Sequence, residues 1–269
     1  MAGSFLDTTV LVEIADLQAG SSARSFISAN QPAEVPYYAL RELLAGLLRT
    51  LCDAHNKLVA AENPAEAFLV LTALHSVAGR KKDSAIRALA VELSEAFKAN
   101  PDGPRSDLKR EMLQAFSLKI ASLWKQARRP SQCAAVQSLA CFNAGDLARG
   151  EAGELRGPND SFNCLGGERC AAAMYLSQNQ TLLTKLIDAL HPDNLGDEAA
   201  SKRENQQRRK ALKAIKVDGP LRFNKSLCRA VGDAYFAAMC PPGMDVITTN
   251  ITDHGFLCEA VGKKATRLP

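Results

Sequence analysis

Four acidic or amide side chains of this sequence lie where short apolar segments end or helices begin. Asp7 lies in the apolar run of residues 4–12, and Asn250 follows a second apolar segment near the other end of the chain. Glu42 and Asp233 lie between them, in helix-forming surroundings. Parallel sheets collect ligands at the carboxyl ends of their strands, and Mg²⁺ and Mn²⁺ prefer hard oxygen ligands. The pattern therefore indicates a divalent-metal site.

Such a site would hydrolyse a phosphodiester with a metal-activated water. One or two Mg²⁺ or Mn²⁺ ions lower the pKa of that water and neutralise charge in the transition state. Clustered carboxylates repel one another, so a cluster of this kind needs a cation. We expect Asp7, Glu42 and Asp233 to be metal ligands and catalytic residues. The alternative is that each is an ordinary surface or helix-start acid among the 29 acidic residues of the chain.

Three segments resemble motifs of the PIN-domain nuclease family. Residues 6–11 read Leu-Asp-Thr-Thr-Val-Leu, where the family has Leu-Asp-Thr-Asn-Val-Leu, so Thr9 stands at the usual Asn. Glu42, followed by Leu43, matches the second family acid, with Pro-Tyr-Tyr at residues 36–38 replacing a small polar start. Residues 233–238, Asp-Ala-Tyr-Phe-Ala-Ala, match the helix that carries the third acid.

A fourth segment matches the family layout but not its acid. After an apolar strand the family has Thr-x-Asp or Thr-x-Asn and then a helix that ends in Gly. Here Asn250 stands at the acid's place and Gly262 follows the helix. Asp253 lies nearby and is taken as a further catalytic residue, although it could equally cap the last helix. The resemblance covers residues 1–50 and 220–269.

The resemblance implies an α/β fold with a small PIN-like three-layer core and a parallel sheet. That core would comprise residues 1–53 and 218–269, enlarged by a mostly helical insertion of residues 54–217. The implied activity is that of an endoribonuclease with Mg²⁺ or Mn²⁺ as cofactor and RNA, or alternatively DNA, as partner. A homodimer and an inhibitor or partner protein stay open. Two rivals remain: a catalytically weakened PIN-like module that binds nucleic acid or protein, and an interaction protein that uses its helical region.

Hydroxyl and amide groups beside the acids are candidate substrate contacts. Thr8, Thr9 and Thr249 follow the apolar segments and could orient water or carboxylates, although hydrogen bonds within turns are the commoner use of such residues. Asn250 could hold a metal-bound water or a phosphate through its amide. We therefore expect these four residues to bind substrate.

A basic segment supplies further candidates. Residues 202–216 carry seven cations against one acid. Lysine and arginine contacts to phosphates give sequence-independent affinity for nucleic acid. Arg208, Arg209 and Lys210 are the expected contacts in this segment, and a solvated helix face is the alternative.

The arrangement of strands and helices follows from the apolar pattern. We predict that strands at 4–12 and 245–249 are parallel neighbours in one sheet, with Asp7 and Asn250 at its carboxyl edge. A short strand or turn is expected at 34–37, a helix from residue 39, and a flexible loop at 150–160. The remaining predicted helices are 13–29, 64–77, 83–99, 106–127, 131–147, 167–190, 197–215, 223–238 and 254–261.

Composition sets broad limits. The chain has 269 residues, 46% of them hydrophobic, with a net charge of +4, which is ordinary for a globular protein with a sizeable core. No apolar run approaches the ~18 residues of a membrane-spanning helix, and Asp7 and Glu13 interrupt any signal peptide. Eight cysteines are too dilute for a disulfide scaffold. We therefore expect a cytoplasmic protein without a membrane partner.

Overall fold

The computed structural model describes residues 3–15, 20–62, 105–133, 135–157, 170–194 and 199–269, with five single positions between 66 and 98. Its strands are β1 (Gly3–Leu6), β2 (Ala33–Val35), β3 (Ser131–Gln132), β4 (Ala148–Arg149), β5 (Leu155–Arg156), β6 (Met244–Thr248) and β7 (Ala265–Arg267). Its α-helices are α1 (Thr8–Ala15), α2 (Gly20–Ala29), α3 (Tyr37–Leu43), α4 (Arg49–Ala60), α5 (Arg105–Ala127), α6 (Ala171–Gln178), α7 (Gln180–Ala189), α8 (Ala199–Asp218), α9 (Lys225–Ala230), α10 (Gly232–Met239) and α11 (Ile251–Ala260). A π-helical turn (Leu44–Leu48) joins α3 to α4, and a 3₁₀ turn (Pro192–Asn194) follows α7.

Five of these strands form one parallel sheet in the order β3-β2-β1-β6-β7. In the central pair, Phe5 lies opposite Val246 and Leu6 opposite Ile247. The α/β class and the predicted pairing of the two terminal segments are therefore confirmed. The chain leaves β1 towards β2 on one side and returns through β6 on the other. Ligands of open parallel sheets bind outside the carboxyl ends of the strands where the order reverses in this way.

Strand β1 is shorter than the sequence pattern predicted. It ends at Leu6, and α1 begins at Thr8, so the prediction of a strand through residue 12 is wrong. Val10 and Leu11 are buried helical residues, and a fully covered helix gives the same continuous apolar run as a buried strand. Asp7 is consequently the single residue between strand and helix. Its backbone N–H donates to the carbonyl of Ile247 on the neighbouring strand at 3.0 Å.

The segment 131–147 is not the predicted helix. Residues 131 and 132 form the edge strand β3, and the described residues that follow, 133 and 135–147, contain an isolated bridge between Leu139 and Phe142 but no helix. The side chains of Trp124, in α5, and of Arg128, just after α5, bind two carbonyls of this segment in place of intrahelical bonds. Trp124 Nε1 donates to the carbonyl of Gly145 at 2.8 Å, and Arg128 Nη1 donates to the carbonyl of Ala144 at 2.7 Å.

Three other long helical predictions are corrected in their boundaries. The stretches 13–29, 167–190 and 223–238 each contain the end of one helix and the start of another. Helices α6 and α7 separate at Asn179, and α9 and α10 separate at Val231. The second break places Asp233 in the first turn of α10, where the helix dipole favours a negative charge.

The other predicted elements agree more closely or cannot be compared. Helices at 106–127, 197–215 and 254–261 are confirmed as α5, α8 and α11, with shifted ends. The helix expected from residue 39 begins at Tyr37, with Pro36 preceding it. The loop expected at 150–160 is partly the antiparallel hairpin β4–β5. The predicted helices 64–77 and 83–99 lie outside the described residues, apart from single positions.

One hydrophobic core joins the terminal segments to the region between them. Phe5 of β1, Trp124 of α5, Leu183 of α7 and Phe236 of α10 all belong to it. Strand β3, from the region between, also extends the sheet. The division of the chain at residues 53 and 218 stays a prediction. No helix among the described residues is long and apolar enough to cross a membrane.

Candidate active site at the carboxyl edge of the sheet

Asp7 lies at the end of β1 and is almost completely enclosed. Only 4% of its side chain is exposed. Thr9 Oγ1 donates to Asp7 Oδ2 at 2.6 Å, and Thr248 Oγ1 donates to the same oxygen at 2.8 Å. Because Thr248 is the last residue of β6, the two neighbouring strands jointly fix the orientation of this carboxylate.

The hydroxyls that bind Asp7 also connect the two strand ends. The backbone N–H of Thr249 donates to Thr9 Oγ1 at 3.1 Å, and the backbone N–H of Asn250 donates to Thr248 Oγ1 at 2.9 Å. Thr9 therefore accepts one hydrogen bond and donates another. The Thr9 hydroxyl therefore fits at the position where PIN-domain nucleases, which this segment resembles, usually have the amide of an Asn.

His254, on α11, connects Asp7 to Asp233. His254 Nε2 lies 3.5 Å from Asp7 Oδ2 and 3.5 Å from Asp233 Oδ1. The imidazole is buried, and the ring of Phe236 packs edge-on against it at 5.5 Å. Two acids from opposite ends of the chain thus meet at one histidine.

The acids and the histidine alter one another's ionisation. Burial lowers the pKa of His254, but the hydrogen bond and charge of Asp7, with the charges of Asp233 and Asp253, raise the pKa above its ordinary value. Burial raises the pKa of Asp7, but His254 and the hydroxyls of Thr9 and Thr248 lower the pKa overall. Both shifts favour the charged forms, an imidazolium at His254 beside a carboxylate at Asp7.

Asp233 also accepts a hydrogen bond from Arg208 of α8. The Arg208 side chain is 7% exposed, whereas the Asp233 side chain is 29% exposed. Arg208 also donates to Asn205 Oδ1 one turn earlier in the same helix. Solvent therefore reaches the site at Asp233 rather than at Asp7.

Glu42 lies near the start of α1 and near the start of α10. Thr8 Oγ1 donates to Glu42 Oε2 at 2.6 Å, which connects α3 to the start of α1. A methyl group added at Gly232 would lie 3.5 Å from Glu42 Oε1 and 3.2 Å from the hydroxyl oxygen of Tyr38. The absence of a side chain at Gly232 therefore lets α10 begin close to Glu42, with Asp233 as its next residue.

The fourth predicted acid occupies a more peripheral position. Asn250 Nδ2 donates to Asp253 Oδ2, so the amide and the acid in this segment bind each other. Asp253 acts on the core of the site through its charge, which helps to raise the pKa of His254. Its proposed catalytic role stays a prediction.

The three predicted cations on α8 point in different directions. Arg208 is buried against Asp233. Arg209 is partly buried, and its Nε donates to the carbonyl of Ile187 at 3.3 Å. Lys210 is exposed. Of the three, the exposed Lys210 is the one most open to a phosphate.

The oxygen donors agree in type with a hard divalent ion, since Asp7, Glu42 and Asp233 are carboxylates beside threonine hydroxyls. Within the described ranges, however, no group of three or more His, Cys, Asp or Glu side chains could hold a metal ion as arranged. A divalent ion on these acids would compete with His254 and Arg208 for the same oxygens. Binding it requires the carboxylates to close together and the two cations to withdraw.

Sequence reasoning missed His254 and the role of Arg208. The sequence analysis assigned no role to His254 and treated Arg208 as one of several helical cations. One feature of the sequence could have identified Arg208: it lies on the same face of α8 as three other buried residues, Asn205, Leu212 and Ile215. These residues recur at helical spacing, so Arg208 faces the protein interior.

Comparisons with protein-family models, with curated proteins and with solved structures gave no match for this chain.

Proposed function

We propose that this protein is a metal-dependent endonuclease with a PIN-like core, and that RNA is its substrate. The observation that carries the proposal is the convergence of Asp7 and Asp233 on His254, with Glu42 adjacent, at the carboxyl edge of the sheet. Two acids from opposite ends of the chain meet at His254 where the strand order reverses, which is where parallel sheets bind ligands.

Asp7, Glu42 and Asp233 would hold Mg²⁺ or Mn²⁺ in this proposal. Such an ion supplies an activated water and neutralises the charge that develops on the phosphoryl group. Thr9 and Thr248 keep the Asp7 carboxylate in one orientation through short hydrogen bonds. Asp233, the more exposed acid, faces the incoming phosphodiester.

Arg208 and His254 are cations that, in this proposal, occupy the acids until the metal ion binds. Both are bound to the acids that would hold the ion. With those oxygens occupied by a divalent ion, the Arg208 guanidinium would be free to bind the substrate phosphate. Guanidinium groups bind phosphate oxygens through paired N–H donors, so Arg208 would then stabilise the bound strand.

A second candidate is a catalytically weakened PIN-like module that binds nucleic acid or protein. Two contacts favour it: Asn250, at the place of the fourth acid, is bound to Asp253, and Arg208 neutralises Asp233 without an ion. In that case the cations replace the metal permanently and the fold serves recognition alone. We propose a cytosolic location for either activity.

Metal dependence separates the two candidates. Purified protein is incubated with a labelled single-stranded RNA in excess chelator, and Mg²⁺ or Mn²⁺ is then restored. The endonuclease proposal expects no cleavage in chelator and internal cleavage products after restoration. Binding of the RNA without cleavage under both conditions would favour the binding module.

A further inference from the structure

A groove of about 960 Å³ lies between α8 and α9 and reaches the candidate active site. Arg208 and Asp233 form part of its wall, so its interior adjoins the exposed side of the acidic cluster. This volume is near the upper limit of the roughly 300–1,000 Å³ that small-ligand pockets occupy. It accommodates linked units of a polymer rather than a lone ion.

Three exposed cations line this groove from two helices. Lys210 projects from α8, and Lys225 and Arg229 project from α9. Among the described residues, none of the three takes part in an ion pair. The opposing charge in the wall, apart from the Arg208–Asp233 pair, is Glu204. The groove therefore has a net positive charge.

The sequence alone does not show this surface. Lys225 and Arg229 lie outside the basic segment 202–216, in a helix with ordinary composition. The Asp218-Gly219-Pro220 turn follows α8, with Gly219 at a φ of 61°, and the chain then reverses into α9. The reversal places the cations of α9 opposite Lys210.

We propose that this groove binds the phosphodiester backbone of a single nucleic-acid strand and leads it to Asp233. Lys210, Lys225 and Arg229 contact successive phosphates, and Gln207 and Ser226 supply hydrogen bonds to the sugar or phosphate oxygens. The inference deepens the proposed function, since the bound strand passes the acid where cleavage would occur. Binding itself needs no metal ion.

The test measures binding and cleavage separately. Fluorescence anisotropy in excess chelator gives the affinity of the full chain for a labelled oligouridine and for the matching DNA strand across a salt series. The groove variant carries Lys210→Ala, Lys225→Ala and Arg229→Ala. The control variant carries Lys57→Ala, Lys125→Ala and Arg129→Ala, three exposed residues outside the groove. Both variants lose two lysines and one arginine.

The groove variant should bind at least about tenfold more weakly, with a salt slope flatter by about two units, because each lost contact to single-stranded phosphate removes ~0.7. The control variant should stay within about twofold of the wild type. Equal losses in both variants, or an unchanged groove variant, would overturn the proposal. A stronger effect on RNA than on DNA identifies RNA as the ligand, and equal effects identify backbone recognition common to both. Groove-dependent binding without metal-dependent cleavage leaves this inference standing and rejects the nuclease.

Discussion

Arg208 of α8 donates a hydrogen bond to the carboxylate of Asp233, 25 residues further along the chain. The basic helix therefore has two distinct uses. Its buried face brings a guanidinium into the acidic cluster, and its exposed face carries Lys210 into the groove. Substituting Arg208 together with the exposed cations would mix these two effects, so Arg208 has to be tested separately from Lys210.

Arg208→Gln should strengthen the binding of Mn²⁺ to the site. Removing the guanidinium eliminates the cation that competes with Mn²⁺ for Asp233. We expect an affinity about tenfold higher, which corresponds to about 1.4 kcal/mol of binding free energy. Isothermal titration calorimetry measures the change. Lys210→Gln removes an exposed cation from the same helix and should leave the Mn²⁺ affinity nearly unchanged. Weaker binding in Arg208→Gln would show that the arginine supports the site rather than competing with the ion.

His254 should make the free energy of unfolding depend on pH. Its pKa is raised above 6.5 in the folded chain, so its contribution is full below about pH 6.5 and is lost as pH rises through the folded-state pKa. The pKa of Asp7 is lowered below 3.8, so its contribution is present above about pH 3.8 and is lost as pH falls through the folded-state pKa. The His254–Asp7 pair therefore stabilises the protein most between about pH 3.8 and about pH 6.5, the ordinary pKa values of the two groups.

Urea unfolding of the wild type and of His254→Asn across pH measures this contribution. The wild type should be more stable by about 1.5–3 kcal/mol near pH 5.5, the range for hydrogen bonds to charged groups, and the difference should shrink as pH rises. His191→Asn, a substitution of a partly exposed histidine, should follow the wild-type profile. A difference that grows with pH would show that His254 is neutral in the folded protein.

Thr9 should be replaceable by Asn but not by Val. An Asn side chain can donate to Asp7 and accept the N–H of Thr249, whereas Val removes both hydrogen bonds and should cost about 1–2 kcal/mol. Thr9→Val should also slow cleavage, because Asp7 loses its orientation. Thr266→Val provides the control: Thr266 Oγ1 donates to Asp245 at 2.9 Å, a comparable hydrogen bond outside the site. It should lower stability without slowing cleavage, and equal slowing by both variants would contradict the role of Thr9.

Features that are local in the sequence could be predicted, and those that depend on long-range packing could not. Asp7 and Thr248 follow apolar segments directly, so their meeting at one sheet edge follows from strand pairing. The cations bound to the acids depend on how α8 and α11 pack. The helical spacing of Arg208 with Leu212 and Ile215 indicates that Arg208 faces the interior, but it does not identify Asp233 as its partner. These cations also offset the repulsion that the sequence predicted among the acids, because His254 contacts Asp7 and Asp233 and Arg208 contacts Asp233. The helix predicted at 131–147 fails similarly, since Trp124 and Arg128 bind that segment's carbonyls.

Substitutions of the three acids should reduce the cleavage rate to different extents. Asp233→Asn should abolish cleavage as Asp7→Asn does, because both carboxylates meet at His254. Glu42→Gln should give a smaller or equal loss, since Glu42 is held by Thr8 and lies outside the His254 contacts. Single-turnover cleavage rates with Mn²⁺ compare the three variants. A Glu42 variant that is far slower than the Asp233 variant would contradict this ranking.

The most direct test of the metal-dependent endonuclease is the cleavage rate of Asp7→Asn compared with that of Asp245→Asn, on the same labelled RNA with saturating Mn²⁺. Asp245 belongs to the same strand pair but binds Thr266 and Lys264, away from the site. Circular dichroism confirms that both variants remain folded. The account predicts a loss of about a hundredfold or more for Asp7→Asn, since metal ligation supplies several kcal/mol of transition-state stabilisation, and a near wild-type rate for Asp245→Asn. Equal rates for Asp7→Asn and the wild type would contradict it.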